Sequence, residues 1–178
     1  MKNEIKEILL TEEQLKEKIA QLAAQISRDY QGKSPLIVGV LKGSFIFMAD
    51  LVRALTIPCN IDFLMVSSYG SGDKTSGVVQ IIKDLDYDIS GKDILIIEDI
   101  LDSGLTLKYI MGLLSAKNCA SIKLCTLLDK PDRRQAQVHV DYQGFKIPDE
   151  FVVGYGLDYA ECYRNLPYIG ILDEKVYS

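Results

Sequence analysis

An α/β fold with a central parallel sheet follows from three observations. Short apolar runs rich in β-branched residues alternate with helical patterns through the middle of the 178-residue chain. The runs 36–41 and 94–97 are wholly apolar, and 122–128 is broken only by Lys123 and Thr126, as strands buried on both faces are. Charge follows directly after three of them, near Lys42, Glu98 and Lys130, which burial alone does not explain. Right-handed crossovers put such strand-end loops on one edge of the sheet, where open α/β sheets bind ligands.

The elements follow in order. Thr11-Glu-Glu-Gln14 fits a capping box, and Leu15, Ile19, Leu22 and Ile26 continue at helical spacing toward a stop at Gly32. Leu36 to Leu41 is a buried strand. Lys42-Gly43-Ser44 breaks it, and Phe45 to Leu55 resumes a helical period. Ile61 to Ser67 and Val78 to Lys83 read as strands. The stretch between them, Ser68 to Gly77, is too polar and glycine-rich for core and forms the tip of a hairpin. Ile94 to Ile97 is a buried strand; a helix uses Leu107, Ile110, Met111 and Leu114; Ile122 to Leu128 is a further strand. After Pro131 the chain is irregular, with short strands near Phe151–Val153 and Tyr168–Leu172. No repeat or linker divides it, so one domain over 1–178 is expected.

Composition narrows the function. A net charge of −5 disfavours a broad nucleic-acid surface, which needs clustered Lys and Arg. No run approaches the ~20 apolar residues of a membrane helix, and Met1 to Glu7 lacks the features of a secretory signal, so a cytoplasmic protein is expected. Cys59, Cys119, Cys125 and Cys162 show no Cys-x-x-Cys spacing and read as reduced core residues. The single histidine, His139, reads as a strand-face residue. Any catalysis rests on carboxylates, Lys and Arg.

The richest segment is 93–107. Apolar Ile94 to Ile97 leads into Glu98 and Asp99, then Ile100-Leu101, then Asp102-Ser103-Gly104-Leu105-Thr106 at the opening of a helix. Amides at a helix start form a phosphate cradle, and the carboxylates can accept from sugar hydroxyls or hold Mg²⁺. Read alone, the acidic pair is a solvated strand end and Asp102 a helix N-cap.

The order of landmarks resembles that of the hypoxanthine-guanine phosphoribosyltransferases, 6-oxopurine salvage enzymes of the type I phosphoribosyltransferase family. The resemblance rests on Ile96 to Thr106, Leu41-Lys-Gly-Ser44, Ser68-Tyr69, Leu128-Asp-Lys130 and Phe151-Val-Val-Gly-Tyr-Gly-Leu-Asp158. It implies a type I fold with a small hood formed by the terminal segments. It also implies Mg²⁺-dependent transfer from phosphoribosyl diphosphate to hypoxanthine or guanine, giving IMP or GMP and pyrophosphate.

By the same resemblance, Asp102, Ser103, Gly104, Leu105 and Thr106 hold the 5-phosphate, while Glu98 and Asp99 meet the ribose hydroxyls directly or through Mg²⁺. Asp102 takes or shares the proton of purine N7. Lys42, Gly43, Ser68, Tyr69 and Arg164 meet pyrophosphate, and the peptide before Lys42 can be cis, a geometry the residues leave open. Ser44 stands where some members have a second Gly. Lys130, a donor only, selects a 6-oxo over a 6-amino purine; without the resemblance it reads as a turn Lys. Phe151 stacks on the base, Val152 offers its backbone, and Asp158 lies at the purine end and reaches a second Mg²⁺. The 68–77 loop closes over the site, and the chain is expected to be a dimer or tetramer. Two rivals are weaker: a nucleotide-sensing regulator lacks its basic face, and a dinucleotide module lacks Gly-x-Gly-x-x-Gly.

Overall fold

The computed structural model describes residues 4–68 and 79–177. Its strands are β1 (Ile5–Leu10), β2 (Leu36–Leu41), β3 (Asn60–Ser68), β4 (Val79–Lys83), β5 (Asp93–Leu101), β6 (Ser121–Asp129), β7 (Tyr142–Lys146), β8 (Val152–Val153) and β9 (Ile169–Leu172); its helices are α1 (Glu12–Asp29), α2 (Phe45–Ala54) and α3 (Leu105–Ser115). Six strands form the main sheet in the order β4-β3-β2-β5-β6-β7, and β1-β9-β8 form a second, three-stranded one. In the main sheet every neighbouring pair is parallel except β3 with β4.

Local chemistry accounts for the helices. Thr11 caps α1, its side chain accepting from the Gln14 amide while the Gln14 side chain answers the Thr11 amide. Leu15, Ile19, Leu22 and Ile26 are the buried stripe of that helix. It ends at Asp29, before Gly32, which has a positive φ of 76°. α2 contributes buried Phe47, Met48 and Leu51 to one face of the sheet beside α1. α3 contributes Leu107, Ile110 and Leu114 to the other. Both faces are therefore covered, as a mainly parallel sheet requires. The small sheet joins the α1–α2 side through Leu10, Val152, Ile169 and Ile171.

Three features differ from the sequence expectations. β1 and β7 were not anticipated: Lys6 and Glu7 in one, Gln143 and Gly144 in the other, mask the apolar signal of strands at sheet margins. β5 runs four residues past Ile97, because Glu98, Ile100 and Leu101 continue the ladder with Thr126, Leu128 and Asp129 of β6. His139 precedes β7 and its side chain is exposed, and Cys162 is an exposed free thiol rather than a core residue.

β2 lies between β3 and β5, so its two neighbours are reached by crossovers in opposite directions. The crevice at such a reversal is where open α/β sheets place ligands. The loops leaving β2 and β5, Lys42–Ser44 and Asp102–Gly104, open on it.

Candidate active site

The cradle begins where β5 ends. Gly104 is the N-cap of α3, with φ 79°, and Leu105 opens the helix. Asp102 is therefore not the cap; instead the Leu105 amide donates to Ser103 Oγ at 3.4 Å. A cavity of about 130 Å³ lies here, lined by Glu98, Ile100, Leu101, Asp102, Ser103, Gly104, Thr106 and Leu107. A larger concavity of about 500 Å³ lies between α1 and α2, but it is lined by Ala20, Ala24, Ala54 and their neighbours, without a convergent charged set.

The acidic pair is divided by the pleat. Successive strand residues face opposite sides. Glu98 extends the Ile94–Ile96 row toward α3 and borders the cradle cavity. Asp99 extends the Leu95–Ile97 row toward α2 and packs so tightly on Gly43 that a Cβ there would collide with its carboxylate. Burial, and then repulsion from Asp99, pushes the Glu98 carboxyl well above its usual range. Burial also pushes Asp99 up to about 6, against the Ile100 amide at 2.9 Å and the Arg164 charge.

The Leu41–Lys42 peptide is cis. Lys42 Nζ donates to both Glu161 oxygens at 3.1 Å. Ser44 is buried and donates to the Val40 carbonyl at 2.7 Å. Arg164 donates from Nη1 to the Gly156 carbonyl and pairs through Nη2 with Asp158, both at 2.8 Å. Asp158 also accepts from the Glu161 amide at 2.9 Å. Lys42, Asp158, Glu161 and Arg164 thus form one ionic group beside the Gly43–Asp99 contact. Glu161 escaped the sequence reading, since no periodicity marks it; it has a positive φ of 62° in the 158–164 turn. Ser68 ends β3, but its side chain, Tyr69 and the remaining loop to Gly77 lie outside the described residues.

Lys130 is buried rather than an exposed turn residue. Its amide donates to the Leu101 carbonyl at 3.0 Å, and its ammonium lies 3.4 Å from Asp149. Phe151 is partly exposed, not strand core; one ring face stacks on Tyr177 at 4.9 Å and Tyr159 meets it edge-on at 5.6 Å. Val152 is buried on β8, the margin of the small sheet. Arg133, also missed, brings Nη1 to 3.7 Å from Asp102 Oδ2; its position three residues past Lys130 was the available signal.

Among the described residues, four buried side-chain polar atoms lack a hydrogen-bond partner: Glu98 Oε2, Asp102 Oδ1, Arg164 Nε and Tyr30 Oη. Three of the four belong to this edge. Buried polar atoms are normally paired, so the edge is polar beyond what the fold needs. No three His, Cys, Asp or Glu side chains among the described residues converge as a metal cage. The split of Glu98 from Asp99 explains part of that. Hard carboxylate oxygens, one of them unpartnered, nevertheless suit Mg²⁺, which is commonly held by one or two carboxylates plus substrate phosphates.

A helix-start turn at the end of a buried strand, beside the paired charges of Lys42, Asp158, Glu161 and Arg164, has the polarity of a site for an anionic ligand. Residues 6–160 match the family model for the phosphoribosyl transferase domain, and the chain belongs to the phosphoribosyltransferase family. Its relatives include the hypoxanthine-guanine phosphoribosyltransferase of Staphylococcus aureus (strain Mu50), 56% identical over 178 residues, covering 100% of this chain and 99% of that protein. The bifunctional protein TilS/HprT of Listeria monocytogenes is 52% identical over 178 residues, and the chain spans 28% of its length. A crystal structure of a hypoxanthine phosphoribosyltransferase from Staphylococcus aureus superposes with a TM-score of 0.97 at 56% identity, covering 100% of this chain and 97% of that one. Among the described residues no helix is long and apolar enough to cross a membrane.

Proposed function

We propose that this chain transfers the 5-phosphoribosyl group from phosphoribosyl diphosphate to hypoxanthine or guanine, yielding IMP or GMP and pyrophosphate. One observation carries the reading: three buried, unpartnered polar atoms gather at the edge that holds the 102–106 cradle. The 5-phosphate binds the amides and hydroxyls of Asp102 to Thr106, where the helix start favours an anion. Glu98 and Asp99, approaching from two faces, accept from the ribose hydroxyls. Arg164, with Lys42 and the Gly43 backbone, meets the leaving pyrophosphate; a planar guanidinium matches phosphate oxygens. Ser68 and Tyr69 are the further candidates to meet pyrophosphate.

Asp102 holds or removes the proton at purine N7, its free oxygen being the acceptor for that bond. Lys130, with donors only, faces the 6-oxo group; Phe151 offers its ring to the base and Val152 its backbone at the open side of β8. Glu98, Asp99 and Asp158 are the candidate Mg²⁺ ligands; the cation would neutralise charge on the diphosphate as the bond to ribose breaks. A homo-oligomer, dimer or tetramer, in the cytoplasm completes the proposal, and light scattering tests the assembly.

The deciding assay supplies phosphoribosyl diphosphate and Mg²⁺ with hypoxanthine, guanine, xanthine or adenine and measures nucleotide and pyrophosphate. Nucleotide from hypoxanthine or guanine, with little from adenine, is expected; no pyrophosphate with any base would overturn the proposal. Lys130→Ala should narrow the gap between hypoxanthine and adenine at least about tenfold, the worth of a charged hydrogen bond.

A further inference from the structure

The residues following β6 grip the cradle from behind. Lys130 donates its amide to the Leu101 carbonyl at 3.0 Å; Gln135 and Ala136 donate theirs to the Ser103 carbonyl at 2.9 and 3.0 Å. Between these backbone bonds sits one side chain. Arg134 donates from Nε to the Asp102 carbonyl at 3.0 Å and from Nη2 to the Leu101 carbonyl at 3.4 Å. The same Nη2 pairs with Asp129 Oδ1, and Asp129 Oδ2 accepts from Gln143 on β7 at 2.6 Å. Arg134 and Asp129 are both largely buried, with side chains 19% and 10% exposed. Gly104 leaves no slack, since a Cβ there would lie 2.7 Å from the Ala136 carbonyl and 3.1 Å from Arg134 Cδ.

In a trans peptide the carbonyl of one residue and the amide of the next point in opposite directions. Holding the carbonyls of Leu101, Asp102 and Ser103 on the Arg134 side therefore turns the amides of Asp102, Ser103 and Gly104 away from it, toward the cavity these residues line. Successive amides aimed at one point make an anion-binding nest. Arg134 itself is paired with Asp129, and its Nε and Nη2 are directed at the Asp102 and Leu101 carbonyls and that carboxylate, on the side of the turn away from the cavity. We propose that Arg134, braced by Asp129 and Gln143, is the positioning residue that aims the cradle amides at the substrate phosphate. The inference rests on the reading of 102–106 as the 5-phosphate site. A lysine cannot replace it, because one ammonium lacks the planar fork that spans two carbonyls and a carboxylate.

The test measures the affinity of GMP and of guanosine for wild type, Arg134→Lys, Arg134→Gln and Gln143→Leu; their ratio isolates what the phosphate contributes. The expected result is a GMP-to-guanosine ratio reduced at least tenfold in both Arg134 variants and less in Gln143→Leu, with guanosine affinity unchanged. The KM for phosphoribosyl diphosphate should rise more than kcat falls. A wild-type ratio near one would remove the phosphate site itself. A large wild-type ratio kept by Arg134→Lys and Arg134→Gln would overturn the positioning role alone. Should the Arg134 variants fail to fold, Gln143→Leu decides by the same ratio: a reduced value supports the brace, and an unchanged one refutes it.

Discussion

The acids on and beside the main sheet are treated in two opposite ways. On β3, Asp62 accepts from the Phe63 amide at 2.7 Å, the Asp86 amide at 2.8 Å and the Lys83 ammonium at 3.2 Å. Lys83 also donates to the Phe63 and Asp84 carbonyls and to Asp86. Burial would raise the Asp62 pKa, but the two amides and Lys83 overcome it and hold the carboxyl below its usual range. On β5 and just beyond, Glu98 and Asp102 each keep a buried oxygen without a partner, and burial lifts both Glu98 and Asp99. Asp62 ties the β3–β4 hairpin to the 84–86 turn. The β5 acids carry unmet demand, which a ligand can satisfy and the fold does not. Under the proposed function, the contrast separates structural from chemical carboxylates better than burial does.

The sharpest break would come from Asp102→Asn. It should bind phosphoribosyl diphosphate nearly as wild type does and lose about 10²–10⁴ in kcat, the usual worth of a general base. Steady-state kinetics beside a direct binding measurement decide it; wild-type turnover would move Asp102 to the structural side.

Acidity provides the second test. A carboxyl raised from 3.8 to about 6 favours folding while protonated. Its contribution is full below the unfolded pKa and is lost as pH rises through the folded one, amounting to about 3 kcal/mol. In magnesium-free buffer, the stability of Asp99→Asn relative to wild type should therefore grow between pH 4.5 and pH 7.5. Asp62 has the opposite sign: its contribution is present above its unfolded pKa and is lost as pH falls through the lower folded one. Denaturant midpoints at the two pH values give the comparison, and parallel curves for Asp99→Asn and wild type would erase it.

Stability without titration comes third. Asp62→Ala strands the Phe63 and Asp86 amides and Lys83, and should cost about 2 kcal/mol. Glu98→Gln removes a buried carboxyl whose ionisation burial and Asp99 oppose, and should leave the ligand-free protein as stable or more so while lowering activity. Urea unfolding of both variants tests this, and equal losses would show that the two groups do the same work. The smallest effect is expected at Glu161→Gln: its pair with Lys42 is solvent-exposed, with side chains 65% and 51% accessible, and exposed pairs contribute little. Its unfolding midpoint should match that of wild type at low and high salt.

Much of the scaffold was legible because its causes are local. Thr11 and Gln14 announce α1, and the run from Leu36 to Leu41 coincides with β2. The strand-to-helix turn was legible too, since Ser103, Gly104 and Thr106 are contiguous with the strand that leads into it. What stayed hidden depends on residues far apart in the chain. The burial of Lys130 follows from its contacts with Leu101 and Asp149, and no pattern around Pro131 reports them. Gly104 rather than Asp102 caps α3 because the turn there is left-handed, which the string Asp-Ser-Gly does not distinguish from an aspartate cap. β1 stayed hidden because its partner β9 lies at the opposite end of the chain, Ile5 pairing with Leu172.

The division of Glu98 from Asp99 by the pleat means that the order of the two letters is itself a structural instruction. Reversing them, Glu98→Asp with Asp99→Glu, would preserve composition and charge. It would nonetheless drive the longer arm into the Gly43 backbone and withdraw the shorter one from the cradle cavity. A strand sorts its cargo by odd and even positions, so here two adjacent acids arrive at one edge from opposite faces.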